Sequence, residues 1–588
     1  MHLEELRALM KRLGVDATII PGTDPHHSEY VSDHWKLREW LTGFDGSNGT
    51  AAVTLHDAGL WTDSRYFLQA EEQLEGSGFR LMKQDTEGVP TVEQWLKEQL
   101  SDDATVAIDG DLFSIIQANR LEVFCGEQGW LLATDFHPAD HLWHDRPPRP
   151  AAPVEAYGEE YAGESVDSKV ERVMKAVEKQ GADAIFIASL DEIAWLYNIR
   201  GRDIERTPVA IAYAYLADGY REIFLDEDKL TPEVKAHLKA NKIRVRDYDD
   251  TARFLERRSQ GDTVMLDPYT VSDTMGQAML CGKLYATSPI IAMKAVKNDT
   301  QIAGLRRAME DDGVALTRLL KWVDDSARNG LPFNEVDIQT KAIELRAAVS
   351  DDYRDESFDL IAGYKEHGAI VHYTATPESA ADISADGLLL IDTGGQYLHG
   401  TTDVTRTVTL GNVTPAERHD YTLVLKGHLA LQSARFPAGT RGDQLDALAR
   451  MPLWKEGLSF GHGTGHGIGH YLCCHEGPQS IRTQYNDTAL VPGMATSDEP
   501  GLYRTGQYGI RIENILLTVD DRETDFGHFL RFEPLTLLPY DRRLIDTAML
   551  TDDERRQVDE YHNMVLQRLS PRLEPDERQW LADACRPL

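Results

Sequence analysis

Near the start of the chain, apolar residues fall at Leu3, Leu6, Met10 and Leu13. This spacing predicts an amphipathic helix that Gly14 stops. Residues 16–20 then read as a strand. The pattern returns 167 residues later, with Val170, Val173 and Val177 on the apolar face and Gly181 in the place of Gly14. Residues 181–187, Gly-Ala-Asp-Ala-Ile-Phe-Ile, align without a gap on residues 14–20. Trp40-Leu41 corresponds to Trp195-Leu196, and strand-like runs follow at 50–55 and 209–216. The pattern predicts an internal duplication of a helix-then-strand α/β module.

Between the copies, Pro147, Pro148, Pro150 and Pro153 fall within seven positions. Such a run fits neither a helix nor a central strand and predicts a semi-rigid linker. A second boundary lies near residue 295. Lys297-Asn-Asp-Thr reads as a helix entry capped by Asp299 or Thr300, and Ile302, Leu305, Met309, Leu316, Leu320 and Val323 keep helical period. Another helix follows Asn334 and runs to about Ala347. From Phe358 to about Leu517 the texture is short strands and Gly-rich turns, and the last forty residues are charged and helical. The expected fold class is α/β and α+β multidomain, with domains at 1–146, 147–295 and 296–588.

Composition narrows the function classes. The 588 residues are 41% hydrophobic and 27% charged, as in a soluble globular protein. The formal net charge of -36 disfavours nucleic acid as a partner, because phosphate binding needs a basic footprint. Five cysteines, with no Cys-x-x-Cys, indicate neither a disulfide framework nor a thiolate zinc site, and a reducing cytoplasm fits. The charged, helical N-terminus is unlike a signal peptide, and no run of 18 apolar residues suggests a membrane span.

The unusual chemistry gathers in the third region. Residues 387–411 read as two strands and a turn, with Asp392 and Asp403 on either side. Two facing carboxylates repel and raise a pKa unless a cation sits between them. Further along, Phe460-Gly-His462-Gly-Thr-Gly-His466-Gly-Ile-Gly frames two histidines with glycines. Asp498-Glu499-Pro-Gly holds an acid at a turn, and Gly-Ile-Arg511-Ile-Glu513 alternates on a strand, Arg511 and Glu513 sharing a face. His372 sits in a strand-like Ala-Ile-Val-His-Tyr, and His475 precedes Glu476-Gly-Pro. Singly, each has an ordinary reading: a turn cap, a core histidine, an Arg511–Glu513 pair. Together, four carboxylates and one imidazole in apolar settings point to metal. Oxygen donors with one imidazole suit Mn, Fe(II), Co or Zn, and four carboxylates suit a two-metal hydrolytic centre with ions about 3.5–4 Å apart.

These motifs carry a resemblance over nearly the whole chain. Ile-Asp392-Thr-Gly-Gly, Gly-Thr-Thr-Asp403-Val-Thr-Arg-Thr, His462-Gly-Thr-Gly-His466-Gly, Asp498-Glu499-Pro-Gly and Gly-Ile-Arg511-Ile-Glu513-Asn resemble the pita-bread metallopeptidases. Gly43-Phe-Asp-Gly, Trp61-Thr-Asp-Ser-Arg65, Leu190-Asp-Glu-Ile-Ala-Trp195 and Phe532-Glu-Pro-Leu resemble its long, three-domain cytosolic Xaa-Pro aminopeptidase branch. The resemblance implies two creatinase-N-like domains followed by a pita-bread catalytic domain with a helical C-terminal extension. It implies that Asp392, Asp403, His466, Glu499 and Glu513 bind two divalent ions, Mn(II) foremost, with Co, Fe or Zn as alternatives. Glu499 would also accept the proton of the attacking water. His372, His462 and His475 would line the substrate site and assist catalysis, with Arg511 beside them supporting the ligands. The substrates implied are peptides with a free N-terminus and proline second, cut by a homodimer formed through the catalytic domain. Prolidase, creatinase and a non-catalytic pita-bread binding module are the competing readings. The apparent duplication argues against the first and the intact ligand set against the other two.

Overall fold

The computed structural model describes residues 2–258 and 261–588. The chain forms two compact units, Met1–Ile291 and Ala292–Leu588.

The first unit contains the repeat. Its strands Ala17–Pro21, Thr50–Thr54, Ala58–Thr62, Arg80–Lys83, Thr105–Ala107 and Leu131–Ala133 form one sheet in the order 4-3-2-1-5-6. Strands Ala184–Ile187, Tyr213–Ala217, Tyr220–Phe224, Arg244–Arg246, Thr263–Leu266 and Gly282–Tyr285 form a second sheet in the same order. The parallel and antiparallel pairings match strand for strand. The local chemistry matches too. Gly14 and Gly181 both adopt positive φ, 71° and 91°, just past their helices, where an L side chain is strained. Asp16 N–H donates to Thr105 O and its carboxylate accepts from Thr105 N; Asp183 does the same with Thr263. The Gly-x-Asp signature thus marks a helix stop followed by a clamp between the first and fifth strands. Packing departs from the reading at one end: Leu3, Leu6, Leu9 and Met10 are buried, but Leu13 is 52% exposed. Leu9, on the turn between Leu6 and Leu13, takes the core place.

The linker has no regular structure at 146–153. It is pinned nonetheless: Pro147 O lies 2.6 Å from His34 Nδ1, and Arg149 pairs with Asp249 and Asp226.

The second unit opens with a 30-residue helix, Asp299–Arg328. Its cap is Asn298, not Asp299 or Thr300: the Asn298 side chain accepts from Gln301 N–H, and the Gln301 amide returns the bond. Helix Glu335–Val349 follows as expected. The stretch from 358 to 517, read as strands and turns, also holds helices Pro415–Gln432 and Gly442–Trp454. The first of these starts with a full signature, Thr414 capping, Pro415 at the first position and Glu417 completing the box. Strand order in the larger sheet is Arg435–Pro437, Gly527–Pro534, Asn514–Thr524, Ala495–Asp498, Gly465–Gly467, Glu476–Ile481. A smaller sheet pairs Ile361–Tyr364, Leu388–Thr393 and Val404–Thr409. Among the described residues, no helix is long and apolar enough to cross a membrane.

Candidate metal centre

The larger sheet and the sheet of Ile361–Tyr364, Leu388–Thr393 and Val404–Thr409 send acids to one place. Strand Leu388–Thr393 does not stop at Asp392 but continues to Thr393, and Asp392 stands opposite Thr405 on the neighbouring strand. Asp403 sits just before strand Val404–Thr409, in the two-residue break that follows the short strand Gly400–Thr401. From the larger sheet come His466, in strand Gly465–Gly467, and Glu499, just past Ala495–Asp498. Glu513 lies in a two-residue gap between strands Tyr508–Arg511 and Asn514–Thr524, not on a continuous strand with Arg511. Backbone bonds fix these positions: Glu499 N–H donates to Thr464 O at 2.8 Å and Glu513 N–H to Thr405 O at 3.1 Å.

The five predicted donors converge. Asp392, Asp403 and Glu513 bring oxygens within 4.8 Å of one another, as do the donor atoms of His466, Glu499 and Glu513. His466 Nε2 lies 3.4 Å from both Asp403 Oδ2 and Glu499 Oε1. Its Nδ1 stands 2.9 Å from Gly467 O, which can only accept, so Nδ1 carries a hydrogen and Nε2 is the ring nitrogen aimed at the acids. Arg511 pairs with Asp392 at 2.6 Å and not with Glu513. Glu513 Oε2 instead accepts from Thr405 Oγ1 at 2.8 Å.

Electrostatics shows why the cluster wants a cation. Burial pushes the Asp392 carboxyl up against the pull of Arg511. Burial and the charges of Asp403 and Glu499 push Glu513 far above the carboxylate range. Burial, opposed by His466 and reinforced by Asp403, lifts Glu499 to about 7. For His466, burial pulls down, but the Asp403 bond and the Glu499 charge win and hold it at about 9. Asp392 Oδ1, Asp403 Oδ1 and Glu513 Oε1 are buried with no hydrogen-bond partner among the described residues. Orphaned buried oxygens are costly. Three of them in one cluster fit divalent cations, and mostly oxygen donors with one imidazole are the expected donor set.

The remaining predicted residues ring this cluster unevenly. His475 faces His466, ring centroids 4.3 Å apart, and its donor atom groups with those of Asp403 and His466. His462 stands 2.7 Å from Tyr503 OH, which also accepts from Arg511 Nη1. His372 is in a turn, not a strand; the carbonyl of Val371 beside it accepts from Arg511 Nη2. Tyr503 was invisible to motif reasoning, although it follows Asp-Glu-Pro-Gly by two residues. Cys474 was missed as well: its Sγ lies 3.2 Å from Asp403 Oδ2.

Fold and donor set together define a dinuclear-type metallopeptidase of the creatinase architecture. The description "Creatinase/Prolidase N-terminal domain" matches residues 2–134 and, in a second form, 145–301. "Metallopeptidase family M24" matches 303–520, and its C-terminal region matches 528–588. A probable Xaa-Pro aminopeptidase P of Aspergillus niger is 40% identical over 100% of this chain and 98% of its own length. Aminopeptidase P2 of Arabidopsis thaliana is 38% identical over 100% of this chain and 88% of its own. The crystal structure of X-prolyl aminopeptidase from Caenorhabditis elegans, described as a cytosolic enzyme with a di-nuclear active site, superposes with a TM-score of 0.96. It is 34% identical and covers 100% of this chain and 99% of its own. The chain belongs to the Xaa-Pro aminopeptidase family.

Proposed function

We propose that this protein is a dinuclear metal-dependent aminopeptidase that releases the N-terminal residue from peptides with proline in second position. The observation that carries the reading is the convergence of five donors from two sheets, three of them with an orphaned buried oxygen. Asp392, Asp403, His466, Glu499 and Glu513 would hold the ions, Asp392 from one side of the cluster, His466 and Glu499 from the other, and Asp403 and Glu513 from between them. When bound, divalent ions polarise the scissile carbonyl and bring the pKa of water toward about 7.

The chain's own groups do the rest. Glu499 would accept a proton from the attacking water and hand it on toward the prolyl nitrogen. That nitrogen carries no hydrogen in the peptide and leaves as a secondary amine, so a proton must reach it. His372, His462 and His475 orient the carbonyl, stabilise the tetrahedral intermediate and assist this transfer. Tyr503 steadies His462 and, through Arg511, ties it to Asp392. Manganese is the preferred ion on grounds of ligand hardness. The working form is a cytosolic homodimer joined through the catalytic domain, the domains running 1–146, 147–295 and 296–588.

The test is cleavage of a tripeptide Xaa-Pro-Yaa beside the dipeptide Xaa-Pro, in chelator and then with Mn(II) restored. Metal-dependent release of the first residue from the tripeptide, with the dipeptide cut little, is expected. Preference for the dipeptide would make the protein a prolidase. Cleavage of neither would make it a binding module.

A further inference from the structure

We infer that Arg406 and Tyr561 are positioning residues for Glu513, and that through them the C-terminal region 528–588 shapes the metal centre. The inference rests on the reading that Glu513 holds the ions.

Arg406 lies on strand Val404–Thr409, one residue past Thr405. Successive side chains on a strand point to opposite faces. Thr405 turns toward the acids, where its hydroxyl donates to Glu513 Oε2 at 2.8 Å. Arg406 turns the other way and is 1% exposed. Its guanidinium carries five N–H donors. They meet six acceptors, all of them neutral. Nη1 donates to Glu513 O at 2.6 Å and to Thr405 O at 2.8 Å. Thr405 O also accepts from Glu513 N–H, at 3.1 Å. Nη2 donates at 2.8 Å to Oδ1 of Asn514, the residue after Glu513. Glu513 falls between strands Tyr508–Arg511 and Asn514–Thr524, so no regular ladder holds its carbonyl, and Arg406 supplies the donor. The two faces of one strand thus grip Glu513 at both ends, Thr405 at the carboxylate and Arg406 at the backbone.

The other three acceptors belong to the C-terminal region. Nε donates to Pro539 O at 3.2 Å, and Nη2 to Leu538 O at 2.6 Å and Tyr561 OH at 2.9 Å. Tyr561 stands on helix Asp552–Leu569 and is 4% exposed. For its own hydrogen the hydroxyl has Thr536 O and Leu538 O at 3.0 Å and Asn514 Oδ1 at 3.2 Å. The rings of Tyr540 and Tyr561 stack at 4.6 Å, and the guanidinium lies over Tyr540, 4.9 Å from its centroid. Because a guanidinium is a rigid plane, holding one edge places the other. The C-terminal region holds one edge, and the other edge sets Glu513.

The test titrates the metal-stripped, full-length protein with Mn(II), reading free ion by electron paramagnetic resonance. The proteins are wild type, Arg406→Lys, Tyr561→Phe and Val565→Ala. Val565 is buried on the same helix and brings no polar group to Arg406, so its truncation is the control for loosened packing. Lysine has three donors on one nitrogen and cannot serve six acceptors. Mn(II) affinity is expected to fall roughly 10–100-fold in Arg406→Lys, as for other partners that support metal ligands. In Tyr561→Phe a fall of roughly 3–10-fold is expected, the net worth of one hydrogen bond. Val565→Ala should lower Tm and keep wild-type affinity. At saturating manganese, kcat on the tripeptide should fall in Arg406→Lys and Tyr561→Phe while KM holds, since neither residue touches substrate. Tyr561→Phe keeps the ring and its packing, so it decides alone if Arg406→Lys does not fold. Wild-type affinity and kcat in Tyr561→Phe would overturn the proposal, as would an equal loss of affinity in Val565→Ala. No Mn(II) bound by the wild type would instead overturn the metal centre itself.

Discussion

Asp403 is the residue on which most of the centre depends, since it meets His466, Cys474 and the shared oxygen cluster at once. Asp403→Ala should abolish binding of both ions and lower kcat/KM by about a thousandfold or more. Elemental analysis after dialysis, beside the peptide assay, checks this; full metal content in the variant would remove Asp403 from the ligand set. The titration of the cluster gives a second expectation. Glu499 and His466 both have folded-state values above their ordinary ones. Both therefore favour the folded metal-free protein at low pH. That contribution fades as pH rises, through about 7 for Glu499 and about 9 for His466. Metal must displace those protons, so binding should release protons and tighten between pH 6 and 8. Calorimetry in buffers of different ionisation enthalpy measures it. The acids and His466 were legible because Gly, Pro and β-branched neighbours framed them. Arg511's choice of Asp392 over Glu513 was not legible. It depends on the gap at 512–513 that interrupts the strand, which alternation along a sequence does not reveal.

At the level of elements, the site depends on how closely strand Tyr508–Arg511 approaches the 3-10 turn Lys365–Ala369 that leads to His372. A Cβ on Gly509 would stand 1.6 Å from Gly368 O, a backbone atom that cannot rotate away. Gly509→Ala should push the turn and strand apart, destabilise the protein by about 1–3 kcal/mol and weaken activity through His372 and Arg511. Urea unfolding and the peptide assay read the two effects. Glu335 holds the same segment from the other side. It is fully buried and accepts from Tyr364 N, His367 Nδ1, Tyr373 OH and Ala381 N. None of this was visible in the sequence, since each bond joins distant segments. By contrast, the helix at Pro415 was written in plain capping signals and went unread because the Gly-rich turns around it set the expectation of strands.

For the molecule as a whole, the repeat was the most legible feature. Helix period, Gly-x-Asp and strand recur at one offset, and the two sheets then follow one path to the last pairing. The donors all belong to Ala292–Leu588. Chelation should therefore loosen that unit alone. Hydrogen exchange is expected to quicken in strands Leu388–Thr393 and Ala495–Asp498 and to stay unchanged in Ala17–Pro21 and Ala184–Ile187. Equal change in all four would show metal binding acting on the whole chain. The shared path of the two modules also bears on how the chain reaches its fold. While the polypeptide is still collapsing, the first strand of either copy is a plausible neighbour for the fifth strand of the other, and tandem look-alikes are prone to trading pieces. The clamp on Thr105 and its twin on Thr263 would accept either aspartate. The two copies differ in sequence elsewhere, and engineering them toward one consensus should raise the yield of tangled, aggregating chains.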